Sequence, residues 1–291
     1  MPLTIFGGFF AVDHLLLNRY VIFVTTHLKN PVMKLKLKIL SLVVLSSMLM
    51  YTACKKTSKA PAGPALTPTQ VSSQVALNIY QSLFGGLAGV DLSGGIGSPG
   101  SLAFHNHQKV INDLSNPTCG LTVDTTLTLS LSAGDSTISI GGTVKFAFAC
   151  TSNVVSSFTT NDNLTIAFTS PSLKLSYQVA ENLSVVAINP SNPTTNIELN
   201  GSLNSDGSYQ YLTGTKQSGS EVFDYTLASV IATGDGSADV LSGTATFNTS
   251  GSGPKGVWNY QGTMTFLGNH MASVVINGKT YTVNLLTGAV S

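Results

Sequence analysis

The sequence predicts an all-β protein: an antiparallel meander of about ten strands, forming a β-sandwich, a barrel or a half-barrel, preceded by one N-terminal amphipathic helix. Three observations predict it. From Leu121 onward apolar and polar residues alternate with period two, as a half-buried strand requires. Turn signals at Ala133-Gly134-Asp135, Asp206-Gly207, Asp235-Gly236 and Asn277-Gly278 keep the connections short. Before Leu121, past the N-terminal apolar segments, only 68–84 carries a helical period. Charged residues are 9% of the chain but hydrophobic residues 43%, and a steady supply of Val, Ile, Leu, Phe and Tyr separates this composition from disorder.

The chain begins with a segment of another kind. Lys34, Lys36 and Lys38 precede an apolar run, Ile39–Met50, and then Tyr51-Thr52-Ala53-Cys54. A run of about a dozen residues is too short to cross roughly 30 Å of hydrocarbon as a helix. A basic start, a short apolar middle and small residues before a cleavage point make a secretory signal. Residues 33–53 resemble the signal peptide of Gram-negative bacterial lipoproteins, and Tyr51-Thr52-Ala53-Cys54 resembles their lipobox. Tyr51 departs from it, because an aliphatic residue is usual there. The resemblance implies that Cys54 is acylated, becomes the mature N-terminus and holds the protein on a membrane of the bacterial cell envelope. Lys55 stands where an acidic residue resembles an inner-membrane retention signal, so the outer membrane is expected. Residues 1–32 read as an upstream start assigned too early. Residues 54–66 hold Lys55, Lys56, Lys59 and a proline-rich stretch, and read as a flexible tether.

The folded domain is expected over 67–291. Thr67-Pro68-Thr69-Gln70 carries a capping box with proline at the first helical position. Val71, Val75, Ile79 and Leu83 follow at four-residue spacing, and Gly85-Gly86 ends the helix 68–84. Gly95-Ile96-Gly97-Ser98-Pro99-Gly100 matches a dinucleotide-binding glycine pattern in form only. It follows a helix rather than a strand and contains proline, so no cofactor is expected. His105 and His107 are weak metal candidates, because nothing nearby fixes a third ligand.

Leu121, Val123, Thr125, Leu127, Leu129 and Leu131 share one strand face, and Val144, Phe146, Phe148 and Cys150 repeat the pattern. Further strands are expected around 164–168, 173–179, 183–188, 197–203, 209–213, 222–231 and 238–247. Cys119 and Cys150 are the two cysteines left after Cys54, and in an oxidising compartment they read as one disulfide stapling neighbouring strands. Asn277-Gly278 is the strongest two-residue hairpin signal; it pairs Ile276 with Lys279, Val274 with Tyr281 and Ala272 with Val283. Trp258 and Tyr260 lie on the preceding strand as a candidate aromatic ligand contact. Alternation also marks transmembrane barrels; the lipid anchor, irregular strand spacing and the terminal Ala289-Val290-Ser291 argue against one.

From Cys54 onward nine lysines and no arginine face twelve acidic residues, a net charge of −3. Displacing phosphate counterions needs clustered cations, so no nucleic acid or nucleotide partner is expected. Glu181, Glu198 and Glu221 are scattered, and no nucleophile elbow or metalloprotease motif occurs. Three readings remain. The first is a non-enzymatic binding or structural module with an envelope protein or glycan partner. The second is a carrier of a small hydrophobic ligand or lipid in a half-barrel. The third is an envelope-glycan hydrolase assembled from distant carboxylates.

Overall fold

The computed structural model describes residues 65–85, 90–96, 119–192 and 195–291. Cys54, the signal segment, His105 and His107 lie outside the described residues. The described part is one helix, α1 (Pro68–Phe84), a single 3-10 turn (Leu92–Gly94) and ten strands. These are β1 (Thr122–Ala133), β2 (Ser136–Thr151), β3 (Val154–Thr169), β4 (Leu173–Ala187), β5 (Ile197–Tyr211), β6 (Ser218–Ala232), β7 (Val240–Gly253), β8 (Gly256–Gly268), β9 (Met271–Ile276) and β10 (Lys279–Asn284). Every strand pairs antiparallel with the next, in a single sheet of order β1 to β10. The sheet is a meander that does not close into a barrel.

Helix α1 forms as its sequence dictates. Thr67 Oγ1 accepts from the Gln70 N–H, and the Gln70 side chain accepts from the Thr67 N–H at 2.9 Å. Val71, Val75, Ile79 and Leu83 are all fully buried. Each contributes about 1.5–3 kcal/mol by leaving water. They join one core with the inward rows of β2 to β10. Polar anchors seat the helix across the sheet. Tyr260 Oη donates to the Leu66 carbonyl at 2.9 Å, Tyr225 Oη to the Val75 carbonyl at 3.0 Å, and Asn78 Nδ2 to Tyr177 Oη at 3.2 Å. Strands β4, β6 and β8 therefore all reach the same helix, and the sheet wraps around it.

Glycine kinks and bulges supply that curl. Gly142, Gly201 and Gly243 have φ of 135°, 134° and 104°. At each, a Cβ would overlap the backbone of the neighbouring strand, so a side chain there would push the ladders apart. Register shifts at Ala149/Cys150, Leu199/Gly201, Ala228/Ile231 and Phe266/Gly268 add twist. Tight turns keep the meander local. Asn277 and Gly278 both have positive φ, and the Asn277-Gly278 hairpin has the expected register. Ser152-Asn153 and Asn269-His270 make turns of the same kind with no glycine at either central position. Asp239 holds the second, accepting from the Asn269 and His270 N–H groups at 2.7 and 2.8 Å.

Cys119 and Cys150 form a disulfide with Cα atoms 5.4 Å apart. It continues the β1–β2 register, in which Thr122 faces Ala147. One expectation is corrected. Asp206-Gly207 is not a turn between two strands but the interior of the 15-residue β5. Gly207 is there for its size: Tyr177 Cδ2 and Glu221 Cγ each lie 3.3 Å from where its Cβ would be. The strands also run longer than their apolar cores suggested. Threonine, serine and asparagine extend them, because a one-sided sheet needs apolar residues on one face only.

Candidate functional site

Two groups of ionisable side chains lie on the inward face of the sheet. The first joins β3 to β4. Asp162 faces Glu181 directly across the ladder, and each is 2% exposed. Asp162 accepts from Thr160 Oγ1 at 2.7 Å and from the Lys145 N–H at 2.9 Å. The β2–β3 pairing is interrupted there, between Thr143↔Asn163 and Phe146↔Thr160, so the carboxylate replaces a missing ladder acceptor. Glu181 Oε2 accepts from the Val90 N–H at 3.2 Å, tying down the segment that leads to the 3-10 turn. Burial pushes the Asp162 carboxyl up to about 6, against its hydrogen bonds to Thr160, the Lys145 N–H and Glu181, which lower it.

The second group is one row across five strands. The registers give Tyr177 on β4, Gly207 on β5, Glu221 on β6, Gly251 on β7 and Trp258 on β8 as successive neighbours. Large and absent side chains alternate, and the rings use the space. Tyr177 leans to Gly207, and a Cβ at Gly251 would overlap Trp258 Cζ2. One step along the strands, Tyr209 Cε1 lies over Gly219, 2.5 Å from where its Cβ would be. Directly cross-strand neighbours are about 4.5–5.5 Å apart, so Glu221 stands among the rings of Tyr177, Tyr209 and Trp258. Burial alone pushes its carboxyl up to about 7, and burial pushes the Tyr177 hydroxyl up to about 12.

What distinguishes Glu221 is its lack of a partner. Among the described residues Lys145 pairs with Asp124 and His270 Nδ1 lies 3.4 Å from Asp239 Oδ1, and no hydrogen bond reaches the Glu221 carboxyl. Its side chain is half-buried, so solvent still touches it. Two unpartnered polar atoms lie beside it along the sheet. Trp258 Nε1 is buried without an acceptor, and Thr249 Oγ1, next on the same face of β7, is buried without a partner. Gln74 Oε1 is also buried and unpaired. It sits one helical turn before Asn78, which binds Tyr177 and accepts from Ser205 Oγ at 3.3 Å. Each buried polar atom left unpaired costs about 1–3 kcal/mol, and Trp258 Nε1 and Thr249 Oγ1 both lie on the strands beside the Glu221 row.

Trp258 and Tyr260, read from sequence as a candidate ligand contact, both face inward. Tyr260 is spent on the Leu66 carbonyl, whereas Trp258 borders the Glu221 row. Sequence reading missed Glu221, Tyr177 and Gln74. Their meeting depends on the register of strands far apart in the chain, and the only sequence trace is the glycines that face the rings. The outward face differs throughout. It carries threonine, serine and amides, with a depression lined by Asp224, Asn248, Thr249, Ser250, Asn259 and Gln261. Among the described residues no group of three histidine, cysteine or acidic side chains is placed to hold a metal, and no helix is long and apolar enough to cross a membrane.

Compared with known proteins, the chain matches no family model, no curated protein and no solved structure. The functional reading therefore rests on the residues themselves.

Proposed function

We propose that this chain is a non-enzymatic binding module of the bacterial cell envelope, anchored through an acylated Cys54, that holds a small ligand on the inner face of its open half-barrel. The observation that carries the reading is the Glu221 row. An unpaired, solvent-touched carboxyl sits among aromatic rings with the unsatisfied Trp258 Nε1 and Thr249 Oγ1 beside its row, and small-molecule sites combine apolar walls with a few polar groups in this way. The Asp162–Glu181 pair argues against hydrolysis. Both carboxyls are almost fully buried and engaged by internal donors. The outward face offers no comparable group of unpartnered buried atoms.

Two measurements test the reading. Metabolic labelling with an alkyne fatty acid is expected to tag the wild-type chain and not the Cys54→Ser variant; an untagged wild type or a tagged variant overturns the anchor. Native mass spectrometry of the full chain released gently from envelopes is expected to show a one-to-one noncovalent adduct. Turnover of a cell-wall glycan by the purified chain would overturn the non-enzymatic reading.

A further inference from the structure

We propose that the Glu221 row is a binding site for a primary alkylammonium group, seated between the Glu221 carboxylate and the rings of Tyr177, Tyr209 and Trp258. The inference deepens the binding reading above by naming the ligand's chemistry.

The wall is the first argument. A cation gains from the face of an aromatic ring, most from tryptophan, and more as water is excluded. Gly207, Gly219 and Gly251 bring three such rings beside one carboxylate by withholding their own side chains. The row is a matched set: a side chain at Gly251 would collide with Trp258, and one at Gly219 would collide with Tyr209.

The second argument is charge. The groups facing Glu221 are Tyr177 and Tyr225, both neutral; Glu181 lies beyond Tyr177, and Asp224 points outward from the same strand. Among the described residues none supplies a positive charge there. A carboxylate with no internal cation or donor is a cost to the fold unless something arrives to pair with it. Asp162 shows the alternative within the same sheet, since there the protein supplies its own donors.

The third argument distinguishes a primary ammonium from a quaternary one. Gln74 Oε1 is an acceptor and Thr249 Oγ1 can accept, and both are buried without a partner. A primary ammonium brings three N–H donors to the Glu221 carboxylate and to the Thr249 hydroxyl two residues along β7 from Gly251, whereas a quaternary ammonium brings none. Trp258 Nε1, a buried donor without a partner, then takes an oxygen neighbouring the amine on the ligand.

Trp258 is the only tryptophan in the chain, so its emission reports on this site alone. The test is a titration of the full chain in nonionic detergent with n-butylammonium chloride, followed by Trp258 fluorescence and by calorimetry. n-Butanol is the neutral control. A saturable response to n-butylammonium is expected, with none to n-butanol at equal concentration. Losing one charge-assisted hydrogen bond should weaken binding by about tenfold or more in Glu221→Gln, a variant of nearly unchanged shape. Its thermal melt verifies that it folds. Tyr177→Phe, which keeps the ring, is expected to bind within about twofold of wild type, as a ring-face contact predicts. A short-chain phospholipid with an amine headgroup forms the second arm. Response to both arms assigns recognition to the ammonium alone, and response only to the lipid assigns its source to a membrane headgroup. No saturable response in either arm, an equal response to n-butanol, or unchanged affinity in Glu221→Gln overturns the proposal. An acylated chain that fails here sinks the amine site alone; a chain that binds but carries no acyl group sinks only the anchor.

Discussion

Asp162 and Glu221 are acidic residues on one face of one sheet, and the protein treats them in opposite ways. Asp162 is answered from within, by a hydroxyl and a backbone N–H. Glu221 is surrounded by rings and answered by nothing among the described residues. Both carboxyls are pushed upward chiefly by burial, so the shift does not tell them apart. The inventory of partners does. A buried carboxylate with its donors in place is framework; one with solvent contact and no donors is open to a ligand.

The largest test of that contrast removes Asp162. Asp162→Ala strands the Thr160 hydroxyl and the Lys145 N–H, at about 1–3 kcal/mol for each group left unpaired. A loss of about 3 kcal/mol in urea unfolding is expected. A loss below about 1 kcal/mol would mean that Asp162 does not repair the interrupted β2–β3 ladder.

The next test is pH. Asp162 titrates at about 6 in the fold, against an ordinary 3.8. Between those values the folded state holds a proton that the unfolded chain has released. Stability therefore falls as pH rises through this window, by an amount on the order of 2–3 kcal/mol. Glu221, raised from 4.5 to about 7, acts in the same direction and carries the decline toward neutrality. The melting temperature is expected to be higher at pH 5 than at pH 8. Glu221→Gln should remove the upper part of the slope and Asp162→Asn the lower part. A slope that survives both substitutions would locate the titration elsewhere.

Bound ligand should separate the two sites further. An ammonium ion on Glu221 favours the charged carboxylate and lowers its pKa. Saturating n-butylammonium is then expected to flatten the upper part of the pH slope and to leave the Asp162 part in place. If it alters the lower part instead, the cation binds at the wrong carboxyl.

Much of the frame was legible in sequence. The capping box at Thr67 and Gln70 and the four-residue spacing from Val71 placed α1. Asn277-Gly278 fixed the last hairpin to the register. The curl was not legible. Period two says that one face is buried but not against what, so sandwich and half-barrel read alike. Gly142, Gly201 and Gly243 take their meaning from backbone that only the paired strands bring close. Gly207 misled for the same reason, since Asp-Gly is turn chemistry unless a neighbouring ring needs the space. The site was half legible. Trp258 stood out as the lone tryptophan, but Glu221 was one scattered glutamate among three. Only the register from Tyr177 through Gly207 and Gly251 to Trp258 gives it neighbours.

The smallest expected effect is on the outward face, and it serves as the baseline for the inward ones. Thr263 is exposed on β8 beside Thr246 on β7 and Val275 on β9. Thr263→Ala removes a solvated hydroxyl and a β-branch without opening a cavity, so its cost should stay within about 0.5 kcal/mol. It should change neither the pH slope nor the response of Trp258 emission to n-butylammonium. Glu221→Gln is expected to be as mild in stability at pH 8, or slightly stabilising, because it relieves a buried charge that lacks a partner. The two variants would then look alike by unfolding and differ only in amine binding. A surface substitution that weakened binding equally would show that the outward face, not the aromatic row, holds the ligand.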